Sequence, residues 1–121
     1  MFAVIEDDNI SRQILSKVLE VVGKVEVIDF ATAESFLRDV KINDYELKAI
    51  FIDLTLPGMT GIEAITKIRN IDKYSKTPIV VCSAKSDKVT IVQALKAGAQ
   101  NFLTKPLNKD NIVTTICALS A

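Results

Sequence analysis

The chain contains no histidine, which excludes imidazole general-base catalysis and histidine-ligated soft-metal sites. Its two cysteines, Cys82 and Cys117, lie in apolar surroundings; they are too few for a disulfide framework and read as buried, unreactive side chains. Tryptophan is absent, and four glycines and three prolines are scattered singly or in single turns, leaving no linker, repeat or low-complexity stretch. No apolar run approaches the roughly 18 residues of a membrane span, and Met1 leads straight into a strand-like segment, so a cytoplasmic location is expected. An excess of either charge is missing too. With 15 basic and 15 acidic residues the net charge is zero, so no global field draws the chain to nucleic acid. Carboxylates, hydroxyls and lysines are what remains for chemistry.

What is present suits one domain. The 121 residues are 49% hydrophobic and 25% charged, an ordinary balance for a chain with a single core. From Lys85 onward five lysines face only Asp87 and Asp110, which gives the last third a mildly basic tilt. Along the chain, FAVIE (2–6) reads as a strand, and Ile14, Leu15, Val18, Leu19 and Val22 recur at helical spacing until Gly23. KVEVIDF (24–30) is a second strand. Thr32 caps a helix through Val40, with Ser35 standing where a full capping box has Glu. KAIFID (48–53) follows, then a helix opened by Thr60 or Gly61 that carries Ile62, Ile65 and Ile68. TPIVVCS (77–83) is a fourth strand, and Ser86 caps a helix with Val89, Val92 and Leu95 that Gly98 ends. QNFLT (100–104) is the fifth, before a last helix from Asn108 or Asp110 with Ile112, Ile116 and Leu119 on one side. Strands alternating with helices predict an α/β fold, a parallel sheet covered on both faces. The unbroken apolarity of the third and fourth strands fits burial from both sides.

Within that scheme IFIDLTLPG (50–58) sets a problem, because an apolar strand ends on the carboxylate of Asp53. Desolvating an ionised Asp costs several kcal/mol unless a cation or donors meet it. Glu6, Asp7 and Asp8 lie at the carboxyl end of the first strand, Ser83 at that of the fourth, and Lys105 follows the fifth. Ligands of open parallel sheets bind beyond this edge. Two to four carboxylates gathered there raise one another's pKa or recruit a cation, and an all-oxygen donor set favours Mg²⁺. Such a cation on Asp7 and Asp53, with Lys105 opposite and a hydroxyl nearby, suits phosphoryl transfer through an aspartyl phosphate. Each motif taken singly has a plainer reading: Asp8 and its neighbours as a helix cap, Asp53 as a loop cap, Lys105-Pro106 as a turn.

Glu6-Asp7-Asp8, then Asp53-Leu-Thr-Leu-Pro57-Gly-Met-Thr-Gly61, then Val-Cys-Ser83-Ala84, then Lys105-Pro106 together resemble the response-regulator receiver domain of two-component signalling, over the whole chain. The resemblance implies a doubly wound, flavodoxin-like five-stranded parallel sheet in order 2-1-3-4-5 with five helices on its two faces. It implies one receiver domain over residues 1–121 with no output domain, either stand-alone or part of a longer regulator or hybrid kinase. Asp53 would take a phosphoryl group from a phosphohistidine of a sensor kinase or phosphotransfer protein, with Mg²⁺ held by Asp7, Asp53 and the Thr55 carbonyl, and by Glu6 largely through water. Lys105 would pair with Asp53, over a Lys105–Pro106 bond that is typically cis. Ser83 would turn to the phosphoryl group and Phe102 would follow it inward, altering the surface of helix four, strand five and helix five toward a downstream target. Thr55 and Lys85 occupy the variable positions that tune dephosphorylation. Glu6 stands where Asp is frequent, and Phe102 lacks the hydroxyl that a Tyr would bring.

The chain is thus expected to act as a switch and not as an enzyme beyond its own phosphotransfer and autodephosphorylation, with no membrane and no direct nucleic-acid contact. An aspartyl-phosphate hydrolase of the haloacid-dehalogenase kind is disfavoured, since Leu54-Thr55 follows Asp53 where a second acid is needed. The alternative is a phosphate-independent adaptor of receiver fold.

Overall fold

The computed structural model describes residues 1–83 and 88–120. Five strands, β1 (Phe2–Ile5), β2 (Val27–Phe30), β3 (Ala49–Asp53), β4 (Ile79–Ser83) and β5 (Asn101–Thr104), alternate with five helices. These are α1 (Asn9–Gly23), α2 (Ala33–Ile42), α3 (Gly61–Arg69), α4 (Lys88–Ala97) and α5 (Lys109–Ser120). All strand pairs are parallel, in the order β2-β1-β3-β4-β5. The α/β fold and strand order expected from the sequence are those observed. Among the described residues no helix is long and apolar enough to cross a membrane.

Strand alternation sorts the core into two layers. Ala3, Ile5, Ile50, Ile52, Ile79 and Val81 face Phe36 of α2, Ala64, Ile65 and Ile68 of α3, and Ala94 of α4. Phe2, Val4, Ala49, Phe51, Val80 and Leu103 face Leu15 and Leu19 of α1 and Ile112 and Ile116 of α5. β1 and β3 are buried along their whole length, as is β4 up to Ser83, while the edge strands β2 and β5 are only partly covered. Double-sided burial of the central strands is what their solid apolarity predicted.

The helix caps explain the element ends. Asp8 caps α1 by accepting the Ser11 N–H, Thr32 caps α2 by accepting that of Ser35, and Thr60 caps α3 by accepting that of Glu63. Ser35 does not complete a capping box: its hydroxyl bonds the Thr32 hydroxyl instead, at 2.9 Å. The proposed cap at Ser86 lies outside the described residues. α1 does stop at Gly23, but the left-handed residue is Lys24, with φ 53° and its N–H on the Glu20 carbonyl. A side chain in that conformation costs about 1 kcal/mol that glycine avoids. Lys24→Gly is therefore expected to raise stability by about 0.5–1 kcal/mol, after allowing for the looser unfolded chain. Urea denaturation at unchanged slope is the measurement.

Helical spacing located the stripes but not always the side that faces the sheet. Ile14 is 52% exposed while Leu15 and Leu19 are buried. On α4, Val89, Val92 and Leu95 are 67%, 47% and 45% exposed, because the helix turns Ala94 and Ala97 to the core instead. Small residues let it lie close to the sheet and leave the larger ones outside. Cys117 also departs from expectation: it is exposed, one residue and so about 100° round the helix from buried Ile116. Cys82 is buried as expected, and burial pushes its thiol up to about 12, so it stays protonated.

Candidate functional site

Three strands deliver their next polar residue to one side of the sheet. Glu6 continues the alternation Phe2–Val4, Asp53 continues Ala49–Phe51, and Lys105 lies two residues beyond Leu103. All three therefore emerge at the carboxyl edge toward α1 and α5. Their meeting is close. Lys105 Nζ donates to Glu6 Oε1 at 2.5 Å and to Asp53 Oδ2 at 3.0 Å. The second Asp53 oxygen accepts the Thr55 N–H at 3.0 Å. Glu6 and Asp53 are 3% and 7% exposed, so both acids are held out of water with one ammonium between them. The Lys105–Pro106 bond is cis, as the resemblance implied.

Burial and charge crowding together shift the carboxyl of Glu6 and the ammonium of Lys105. Burial, and then the adjacent Asp53 carboxylate, raise the Glu6 carboxyl to about 7 against the opposing pull of Lys105. Burial works against the Lys105 ammonium, but its bonds to the two acids outweigh this and lift its pKa above the ordinary lysine value. One cation is too little for this cluster. Carboxylate oxygens of Glu6, Asp7 and Asp53 lie within 4.8 Å of one another, and Glu6 Oε2 is buried with no hydrogen-bond partner among the described residues. Hard oxygen donors in this number fit a divalent cation such as Mg²⁺ and not a soft metal.

The remaining expected residues fall in different places. Asp7 is exposed at the mouth of the cluster. Asp8 does not join it: its Oδ2 takes the Ser11 N–H at 2.8 Å, and that bond holds its carboxyl below the usual aspartate value. Thr55 is exposed beside Asp53. Ser83 ends β4 opposite Thr104, and the Lys105 N–H bonds its carbonyl at 2.6 Å. Phe102 is 47% exposed on the edge strand, so its ring lies outward and not in the core. Ala84 and Lys85 lie outside the described residues.

Arg12 was not anticipated. Its Nη1 donates to the Glu6 carbonyl at 2.8 Å, its Nη2 bonds Asn9 Oδ1, and its Nε pairs with Asp29 Oδ2 at 3.3 Å. The guanidinium thus ties the loop that carries Asp7 to β2. An acid isolated in the apolar strand VIDF (27–30) was the available signal.

The family model described as the response regulator receiver domain matches residues 2–117. The chain belongs to this family. A phosphorylation-controlled switch in two-component systems is the general role of this family. It is 33% identical over 119 residues to the chemotaxis protein CheY of Thermotoga maritima, covering 97% of this chain and 94% of that one. It is 38% identical over 104 residues to protein-glutamate methylesterase/protein-glutamine glutaminase 3 of Geobacter sulfurreducens, covering 85% of this chain. The receiver spans only 27% of that protein's length, and 62% and 46% of two further curated relatives. Among solved structures, the chemotaxis response regulator CheY4 of Vibrio cholerae superposes with a TM-score of 0.89 at 24% identity, covering 98% of this chain and 96% of that one.

Proposed function

We propose that this receiver accepts a phosphoryl group on Asp53 from the phosphohistidine of a sensor kinase or phosphotransfer protein, in a Mg²⁺-dependent reaction. The observation that carries the reading is the meeting of Glu6, Asp7 and Asp53 oxygens within 4.8 Å, with Lys105 bonded to two of the three acids. In the transfer, a carboxylate oxygen of Asp53 forms a bond to phosphorus as the phosphorus–nitrogen bond breaks, and the electron pair leaves on the donor's imidazole. Lys105 neutralises charge on the phosphoryl oxygens. Ser83, at the end of β4, supplies a hydroxyl toward the same group.

Glu6, Asp7, Asp53 and the Thr55 carbonyl are the groups that would hold Mg²⁺, which when bound offsets the negative charge gathered on acceptor and phosphoryl oxygens. An apolar-walled hollow of about 420 Å³, lined by Ser11, Ile14, Lys105, Pro106 and Leu107, opens beside Lys105. With Ile10 and Ile14 exposed on α1, it offers the donor protein a surface next to the acceptor.

The output side is the α4–β5–α5 face. Val92, Leu95 and Phe102 are exposed there, and Leu95 and Phe102 line one cleft. Movement of Phe102 inward on phosphorylation would change that face for a target protein or a linked output domain. The test is incubation with acetyl phosphate and Mg²⁺, read by intact mass and peptide mapping. One phosphoryl increment on the peptide holding Asp53, abolished by chelator, is expected. No increment overturns the reading.

A further inference from the structure

Glu34 lies in the first turn of α2 and has no part in the chemistry above, yet its carboxylate reaches the loop that follows the acceptor. Its Oε2 accepts the Met59 N–H at 3.3 Å, a contact across 25 positions of sequence. The loop lies flush against it. Gly58 adopts φ +74°, which favours glycine, and a Cβ built there would stand 2.4 Å from Glu34 Oε2. The other oxygen, Oε1, is buried with no hydrogen-bond partner among the described residues. Glu34 is half-buried, with one oxygen bonded and the other shut off from water, and an apolar residue of similar size would fill the same place without stranding a polar atom. Packing alone is therefore a poor account of Glu34.

Leu54 and Leu56 pack in the core with Met59 against them, and the loop's other hydrogen bonds among the described residues are local. Thr55 N–H bonds Asp53 Oδ1, Gly61 N–H bonds the Leu54 carbonyl at 3.1 Å, and Thr60 caps α3. Gly61 packs so tightly that a Cβ there would meet the Asp53 carbonyl at 2.4 Å, which fixes the two ends of the loop, but these bonds do not reach the main chain at Met59. Glu34 adds a tie from a separate helix. We propose that Glu34 is a positioning residue for the acceptor site: by holding Met59 it keeps the β3–α3 loop in the conformation from which Thr55 offers its carbonyl to the cation. This rests on the reading of the site as a Mg²⁺-dependent phosphoryl acceptor.

The test compares Glu34→Ala and Glu34→Gln in the full chain. In metal-free protein, amide exchange at Met59 is expected to quicken at least tenfold in Glu34→Ala. By calorimetry its Mg²⁺ Kd is expected to rise about tenfold, the scale typical of groups that orient metal ligands. Phosphoryl uptake at saturating Mg²⁺ recovers to within about threefold, since the cation then enforces the loop. Glu34→Gln keeps an acceptor for Met59 and is expected to stay within about twofold on each readout. If Glu34→Ala does not fold, Glu34→Asp, which draws the oxygen back by one methylene, carries the same expectation. A Kd for Glu34→Ala within twofold of the parent, or equal impairment by Glu34→Gln, overturns the proposal. A parent that takes up no Mg²⁺ overturns the acceptor reading instead.

Discussion

Lys105→Met is expected to destabilise the metal-free protein by about 3 kcal/mol at neutral pH, the scale seen when one partner of a buried ion pair is removed. Its ammonium is bonded to both Glu6 and Asp53, which are 3% and 7% exposed. Methionine fills the space but leaves two acids facing each other. The loss depends on pH in a defined direction. Glu6 already has a folded-state pKa of about 7 against an ordinary 4.5. The stability it contributes is complete below pH about 4.5 and is lost as pH rises through about 7. Lys105 opposes that elevation, so the variant holds its proton to higher pH still. Its deficit should be small near pH 5 and largest above pH 7, and Mg²⁺ should recover much of it by restoring counter-charge. Denaturant titrations at both pH values, with and without Mg²⁺, read this out. Equal midpoints for variant and parent at pH 7 would show that Lys105 is not the counter-ion of the pair.

Asp53→Asn should separate chemistry from fold. The amide retains an oxygen for the Thr55 N–H or for Lys105, and one of two crowded charges is gone, so stability at pH 7 should stay within about 1 kcal/mol of the parent. Phosphoryl uptake from acetyl phosphate should vanish, because an amide oxygen does not replace the carboxylate nucleophile. Mg²⁺ affinity should fall at least tenfold with a ligand charge removed. A third readout is independent of both. The adjacent Asp53 carboxylate adds to the burial that raises the Glu6 pKa, so the Glu6 titration, followed by carboxyl NMR, should move down toward the ordinary value. Retained phosphoryl uptake on another residue would remove Asp53 from its proposed place.

Much of this molecule is legible in its sequence, for reasons that also mark where reading stops. β3 and β4 announce themselves because burial from both sides leaves no room for alternation. Asp53 stands out against that background, and Glu6, Asp7 and Lys105 follow because strand ends of a parallel sheet share an edge. Apolarity puts Ile14, Val89, Val92 and Leu95 on helical stripes and Cys117 on the apolar side of the last helix, yet all five are exposed. Which stripe of a helix packs is decided by the neighbour it meets, and α4 met the sheet with Ala94. Arg12 was hidden because it bonds a main-chain carbonyl and acids brought near by folding. Glu34 was hidden because its partner is a main-chain N–H on a distant loop. A backbone partner leaves no mark in residue spacing. Asp8 was legible as a cap and, within an acidic triplet, easily confused with a ligand.

The alternation that brings positions 6, 53 and 105 to one side of the sheet makes the pocket intolerant of length changes within the strands. Inserting one residue into β3 ahead of Asp53 would invert its parity and bury the acid among Ile50, Ile52 and Ala64, while Glu6 and Lys105 stayed where they are. Insertions and deletions compatible with this receiver should therefore accumulate in the segments that enter the strands from the far edge, and hardly at all within the strands themselves.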